Sequence, residues 1–244
     1  MYTLLTFLTV VFHSLQFKLV GLTSNYFYLT MFRRISLLNI FSLQCFILLL
    51  FYISFTGANS SIANTDEKYL FDFTKTDDVD GWQEQSDTVR SVGMSKAVFV
   101  IHKNSEFRRA IFFALLNPQP NGAGFAGIRA LGSYDLSGCT KLSLLCRGQG
   151  QFNGFKVVLR HKGLNNEPNF SFEQYFQAPK DEFAVRTLPF SEFKAYYRGK
   201  RVNNNETLDI SQVTSIGIQM YGGVYQTVKQ KGPATLEIDW IKAE

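Results

Sequence analysis

KLSLLCRGQGQFNGFKVVLRHK, residues Lys141–Lys162, reads as two β-strands joined by a glycine-rich loop. Leu142, Leu144 and Cys146 alternate along one arm, and Phe155, Val157 and Leu159 along the other. That is the period of a strand with one buried face. The intervening Gly148–Gly154 supplies residues that tolerate positive φ. Taken as a hairpin pairing Cys146 with Phe155 and Leu144 with Val157, the stretch puts all six apolar side chains on one face. Lys141, Arg147, Lys156 and Arg160 then share the other face with Leu145 and Val158, and Lys141 stands opposite Arg160. Like charges so placed cost stability unless water screens them or an anionic partner uses them.

Working outward, the segments after residue 67 repeat this pattern. Lys68–Phe73 is a short strand, and Ala97–His102 with Arg109–Leu116 suggests a hairpin. Asn117–Gly124 (NPQPNGAG) is a loop, and Phe125 opens the strand FAGIRAL. Phe170–Gln177, Ala184–Phe190, Thr214–Tyr221 and Ala234–Ile241 complete the set. Ile216, Ile218 and Met220 alternate cleanly, as do Leu236, Ile238 and Trp240. A turn of helix is expected only at Ser191–Tyr197. About ten short strands with polar connections predict an all-β fold, a jelly-roll β-sandwich over 68–244. A domain of that size buries a core without disulfide staples.

The 244-residue chain is 45% hydrophobic and 18% charged, a globular composition. Residues 1–58 form a hydrophobic leader: no Asp or Glu precedes Asp66, and no charge interrupts Leu37 to Phe55. Met31-Phe-Arg-Arg, the apolar run and Thr56-Gly57-Ala58 make a signal-peptide pattern, with Met31 a candidate true start. A retained membrane anchor and a mitochondrial presequence are the alternatives. Residues 59–67 read as a polar linker. The expected location is the secretory pathway, extracellular or lumenal, with the mitochondrion as alternative and a membrane partner only if the leader is retained. Lys18, Arg33 and Arg34 lie in the leader, so the excess of 25 Lys and Arg over 20 Asp and Glu falls from five to two beyond it. Such a balance does not imply a nucleic-acid partner.

Cys139 and Cys146 would lie about 23 Å apart on an extended strand, against a limit near 7 Å for a bridge. Both read as buried thiols. Asn59, Asn169 and Asn205 open glycosylation sequons. The three histidines form no metal-ligand spacing, so no metal and no cofactor is expected. Cys146 and His161 would lie too far apart along their strands to act as nucleophile and base. Asp77, Asp78 and Asp80 read as a solvated turn rather than a calcium site. No catalytic residues are assigned and the chain is not expected to be an enzyme.

Several landmarks occur in order: Trp82 with Ser86-Asp87-Thr88-Val89 and Gly93-Met94-Ser95, then Asn121-Gly-Ala-Gly-Phe125-Ala-Gly-Ile-Arg129. Asp135-Leu-Ser-Gly138, Arg147-Gly-Gln-Gly150, Leu188-Pro-Phe-Ser-Glu-Phe193 and Arg198-Gly199 follow. Together they resemble the complex I intermediate-associated protein 30 family across roughly Tyr69 to Ile241. Gln149 stands where that family usually has Asp. The resemblance implies a galactose-binding-like jelly roll without established catalytic residues, acting as a chaperone in respiratory complex I assembly. The expected partner is a protein, with an acidic one suggested by the basic face. Candidate contacts are Trp82, Asp87, Arg129, Arg147, Lys156 and Arg160, although Trp82 also suits a core and Arg129 an ion pair with a carboxylate such as Asp87. The rival reading is a carbohydrate-binding module that stacks a glycan on Tyr175 or Tyr221.

Overall fold

The computed structural model describes residues 68–203 and 206–244; the leader, the linker, Cys45 and the Asn59 and Asn205 sequons lie outside them. The chain runs through β1 (Lys68–Asp72), β2 (Trp82–Glu84), β3 (Lys96–Lys103), β4 (Arg108–Leu116), β5 (Phe125–Tyr134), β6 (Lys141–Gly150) and β7 (Gly154–His161). It continues through β8 (Ser171–Gln177), β9 (Ala184–Pro189), β10 (Lys194–Tyr197), β11 (Lys200–Arg201), β12 (Val213–Tyr221) and β13 (Gly232–Ala243). One sheet has the order β3-β4-β13-β6-β9, with β1 also on β13; the other has the order β11-β10-β8-β7-β12-β5-β2. All the pairings among described residues are antiparallel. The fold is the predicted all-β sandwich. No helix of the described residues is long and apolar enough to cross a membrane.

Period-two alternation places the core where expected. Leu142, Leu144 and Cys146 on β6, and Phe155, Val157 and Leu159 on β7, are all fully buried. Phe112, Ile216, Ile218, Leu236 and Ile238 join them between the sheets. Each such side chain contributes about 1.5–3 kcal/mol by leaving water.

The hairpin reading of Lys141–Lys162 is corrected. β6 pairs with β13 and β9, whereas β7 pairs with β12 and β8 in the other sheet. Gly148–Gly154 therefore carries the chain across the sandwich, with Gly150 at φ 113° making the departure. The six apolar residues do share one interior, but they face each other across it. The polar sets separate accordingly: Lys141 and Arg147 lie on the outside of one sheet, Lys156 and Arg160 on the outside of the other. Lys141 stands opposite Pro189, not Arg160.

Two further expectations change. Ser191–Tyr197 forms no α-helical turn; a short 3-10 turn, Phe190–Glu192, leads into β10. In β13 the register shifts between Ile238 and Trp240. An extra residue there reverses which side chains point inward. Ile241 and Ala243 consequently reach the core, while Trp240 lies half-buried on the outside, under the Lys242 ammonium at 4.5 Å.

Candidate binding groove on the seven-stranded sheet

On the outer face of the seven-stranded sheet the alternate residues of β5, β12, β7 and β8 form the floor of a groove. Arg129 comes from β5, Gln219 and Tyr221 from β12, Lys156 and Arg160 from β7, and Glu173 and Tyr175 from β8. Loops after β2, β7, β10 and β12 wall it, leaving a cleft of about 530 Å³. That volume suits a small ligand or a few residues of a peptide.

The floor centres on a buried ion pair. Lys156 and Glu173 are each 6% exposed, and Nζ donates to Oε2 at 2.6 Å. The same carboxylate accepts from Ser171 Oγ at 3.0 Å and from the Tyr175 hydroxyl at 3.3 Å. Tyr175 packs edge-on against Tyr196 (5.6 Å) and Tyr221 (4.9 Å), the geometry that aromatic quadrupoles favour. Burial, and then the Glu173 charge, pushes the Tyr175 phenol far above its ordinary range; burial raises Tyr221 as well. Both hydroxyls therefore remain neutral at physiological pH.

Arg129 and Arg160 are held differently. Arg160 Nη1 donates to the carbonyls of Leu164, Asn169 and Phe170 at 3.0–3.2 Å. Arg129 Nη1 donates to the Asn165 carbonyl at 2.9 Å and to Asn166 Oδ1 at 3.0 Å. These bonds fold the β7–β8 loop down over the sheet. Burial lowers the pKa of both guanidiniums; the Arg129 charge lowers Arg160 further, while Glu173 and Glu167 oppose it. The expected Arg129–Asp87 ion pair does not form.

At the tip of that loop Glu167 meets two arginines from other walls. Arg90, after β2, donates to Oε1, and Arg198, after β10, donates to Oε2 at 2.8 Å. Hydrogen bonding from Arg198 is the chief cause that holds the Glu167 carboxyl below its usual range. The opposite rim, Gly222–Lys231, is pinned by Gln230, which accepts from Gly154 N and donates to the carbonyls of Gly154 and Tyr221 at 2.9–3.0 Å. A Cβ at Gly154 would meet Gln230 Oε1 at 2.6 Å, so a side chain there would push Gln230 out of this clasp.

Three predicted contact residues, Arg129, Lys156 and Arg160, thus come together in the groove, along with Tyr175 and Tyr221. The other three lie elsewhere. Trp82 packs against Phe71 and Phe99 at the edge of the core, with ring centroids 4.7 and 5.0 Å away. Asp87 is buried and accepts from Ser95 N, Ser95 Oγ and Phe125 N, tying β3 to β5. Arg147 lies on the opposite outer face, bonded to Glu237. Glu173, Arg90 and Glu167 were not anticipated. Alternation from Tyr175 could have found Glu173, but nothing local marks a carboxylate in a loop as the partner of two distant arginines.

Cys146 and His161 offer no nucleophilic pair. Burial pushes the Cys146 thiol up to about 12. His161 is 3% exposed; its Nδ1 accepts from Asp209 N at 2.8 Å and its Nε2 lies 3.3 Å from Glu206 Oε1. Cys139 is a buried free thiol too. Asp77 pairs with Lys103 and Arg108, and no cluster of potential metal ligands occurs among the described residues.

The sequence pattern described as complex I intermediate-associated protein 30 matches residues 71–238. The chain belongs to this family. No curated protein sequence matches it. Among solved structures it is similar to the family 11 carbohydrate-binding module from Clostridium thermocellum, solved with a β-1,3-1,4-mixed-linked tetrasaccharide. The match has a TM-score of 0.54 at 19% identity over 72% of this chain and 94% of that one. The same kind of module from the Clostridium thermocellum cellulase Lic26A-Cel5E gives 0.53 at 17% identity, over 74% and 95%. At such identities the likeness concerns the fold, a galactose-binding-like jelly roll, which this member of the complex I intermediate-associated protein 30 family shares.

Proposed function

We propose that the chain is a non-catalytic binding domain that serves in the assembly of respiratory complex I, gripping a protein partner in the groove of the seven-stranded sheet. The observation that carries this reading is the preformed groove on a chain of this family. Its walls are tied down by hydrogen bonds before any partner arrives, which lowers the ordering cost of binding. Its polar groups sit in ion pairs and loop clasps, and none is arranged as a nucleophile with a base in reach.

The test is to express the full chain with a C-terminal tag and fractionate the cell. Mitochondrial residence and co-sedimentation with partly assembled complex I are expected. The leader resembles a secretory signal, so removal of residues 1–58 in the secretory pathway and an endoglycosidase-sensitive glycan on Asn169 would overturn the assembly role. The Tyr175–Tyr221–Tyr196 cluster favours a second reading, a glycan-binding module of the secretory route. Glycan-array binding that disappears in Tyr175→Ala and Tyr221→Ala would establish it.

A further inference from the structure

Five cationic side chains line the groove, Arg90, Arg129, Lys156, Arg160 and Arg198, against three carboxylates, Glu84, Glu167 and Glu173. Their pairing is uneven. Lys156 is neutralised by Glu173, and Arg90 and Arg198 by Glu167. Glu84 is occupied by Lys96, outside the groove. Arg129 and Arg160 bond neutral oxygens only. In both, Nε is buried without a hydrogen-bond partner, a condition shared with Arg90, Arg108 and Arg109. Each guanidinium has five N–H donors, and here Nη1 alone is engaged. Two half-buried positive charges, on either side of β12, thus stand on the floor with no ion-pair partner among the described residues.

The rim shows which chemistry relieves such charge. Glu167 is a carboxylate carried on a peptide loop, and arginines from two separate walls converge on it. Its side chain is 38% exposed, and those of Arg90 and Arg198 are 37% and 57% exposed, so a competing carboxylate could reach them. Exposed ion pairs hold weakly and so exchange readily. Tyr175 and Tyr221 on the floor offer apolar surface for the stem of a long acidic side chain.

We propose that the groove is a receptor for an acidic peptide segment, with Arg129 and Arg160 as its counter-charges and Glu167 as the chain's own stand-in for a ligand carboxylate at the rim. This rests on the protein-binding reading above and names the partner's chemistry. Arg129 and Arg160 also position the β7–β8 loop through Nη1, and Nε is buried, so a ligand would take the Nη2 donors. Glu167→Gln keeps the size of the stand-in and removes its charge, which releases Arg90 and Arg198 for the ligand.

The experiment titrates the full chain with a fluorescein-labelled peptide containing six consecutive glutamates, its all-glutamine counterpart, and an oligogalacturonate. Binding of the glutamate peptide alone is expected, weakening at least tenfold between 50 and 200 mM salt, as charge screening dictates. Glu167→Gln should tighten it about three- to tenfold, and Arg160→Gln should weaken it at least tenfold. Arg160→Lys, which keeps charge and one donor to the loop, guards against simple misfolding by recovering part of the affinity. Equal binding of both peptides, preference for the oligogalacturonate, or no gain from Glu167→Gln would overturn the proposal. Co-sedimentation with complex I intermediates unaffected by Arg160→Gln and Glu167→Gln would remove this proposal and leave the assembly role standing. Tight glutamate-peptide binding without any such co-sedimentation would do the reverse.

Discussion

On the outer face of the six-stranded sheet, Arg109 and Arg147 converge on one buried carboxylate, Glu237, at 3.0 and 2.8 Å. Gln149 joins them, and the Phe183 ring lies 4.1 and 4.9 Å from the two guanidiniums. On the outer face of the seven-stranded sheet, Arg129 and Arg160 share no carboxylate and hold a loop instead. Both faces carry two arginines on strands separated by one other strand. The first pair is neutralised by Glu237, with Asp239 a further 3.3 Å from Arg109 Nε, and lies under an aromatic ring. The second leaves donors open within a cleft. Neighbouring carboxylates and the shape of the surrounding loops, more than the number of cations, therefore separate a structural face from a receptive one.

The sharpest way to break this contrast is at the groove floor. Lys156→Met should cost roughly 3–5 kcal/mol, because it strands the buried Glu173 carboxylate with hydroxyl donors alone. Urea denaturation would measure it, and Lys156→Met with Glu173→Gln should recover much of the loss. A cost under 1 kcal/mol would mean that the floor is wetter than its exposure implies.

On the opposite face, Glu237→Gln should cost about 2 kcal/mol, the scale of hydrogen bonds to charged groups, and should leave binding of the glutamate peptide unchanged. Burial raises the Glu237 carboxyl, but hydrogen bonds from Arg147, Arg109 and Gln149 outweigh it and hold the group below its ordinary range. Its folded pKa is thus lower than the unfolded value, about 4.3. The associated stability is full above about pH 4.3 and is lost as pH falls through the folded value. Unfolding followed from pH 6 to pH 3 should show a steeper loss in the wild type than in Glu237→Gln; parallel curves would refute the pairing.

The smallest effect belongs to the rim. Glu167→Gln should change stability by less than about 1 kcal/mol, since its ion pairs are partly solvated. A Tm shift of many degrees would make Glu167 a structural clamp and not a replaceable ligand mimic.

Much of the interior was legible because one strand's side chains alternate irrespective of its neighbours. Leu142, Phe155, Ile216 and Leu236 could be assigned to the core from that rule alone, and the landmarks from Trp82 to Arg198-Gly199 pointed to the family. Trp240 escaped the rule because a single bulge at Asp239 reverses inside and outside, and bulges leave little trace in a sequence. His161 continues the inward alternation of Val157 and Leu159 and is likewise buried.

By itself the sequence determined which residues avoid water, and hence that two layers enclose one interior. It could not decide which strands are neighbours. Cys146 and Phe155 meet the same requirement for burial whether they lie side by side in a hairpin or face each other across the sandwich. Backbone pairing with β13 and β12, set by the packing of the whole chain, separates Arg147 from Arg160 by the thickness of the protein. The same packing brings Arg90, Glu167 and Arg198, far apart in sequence, around one cleft. Tertiary structure alone decides such meetings, because charge acts through space and the chain's order carries no record of those distances.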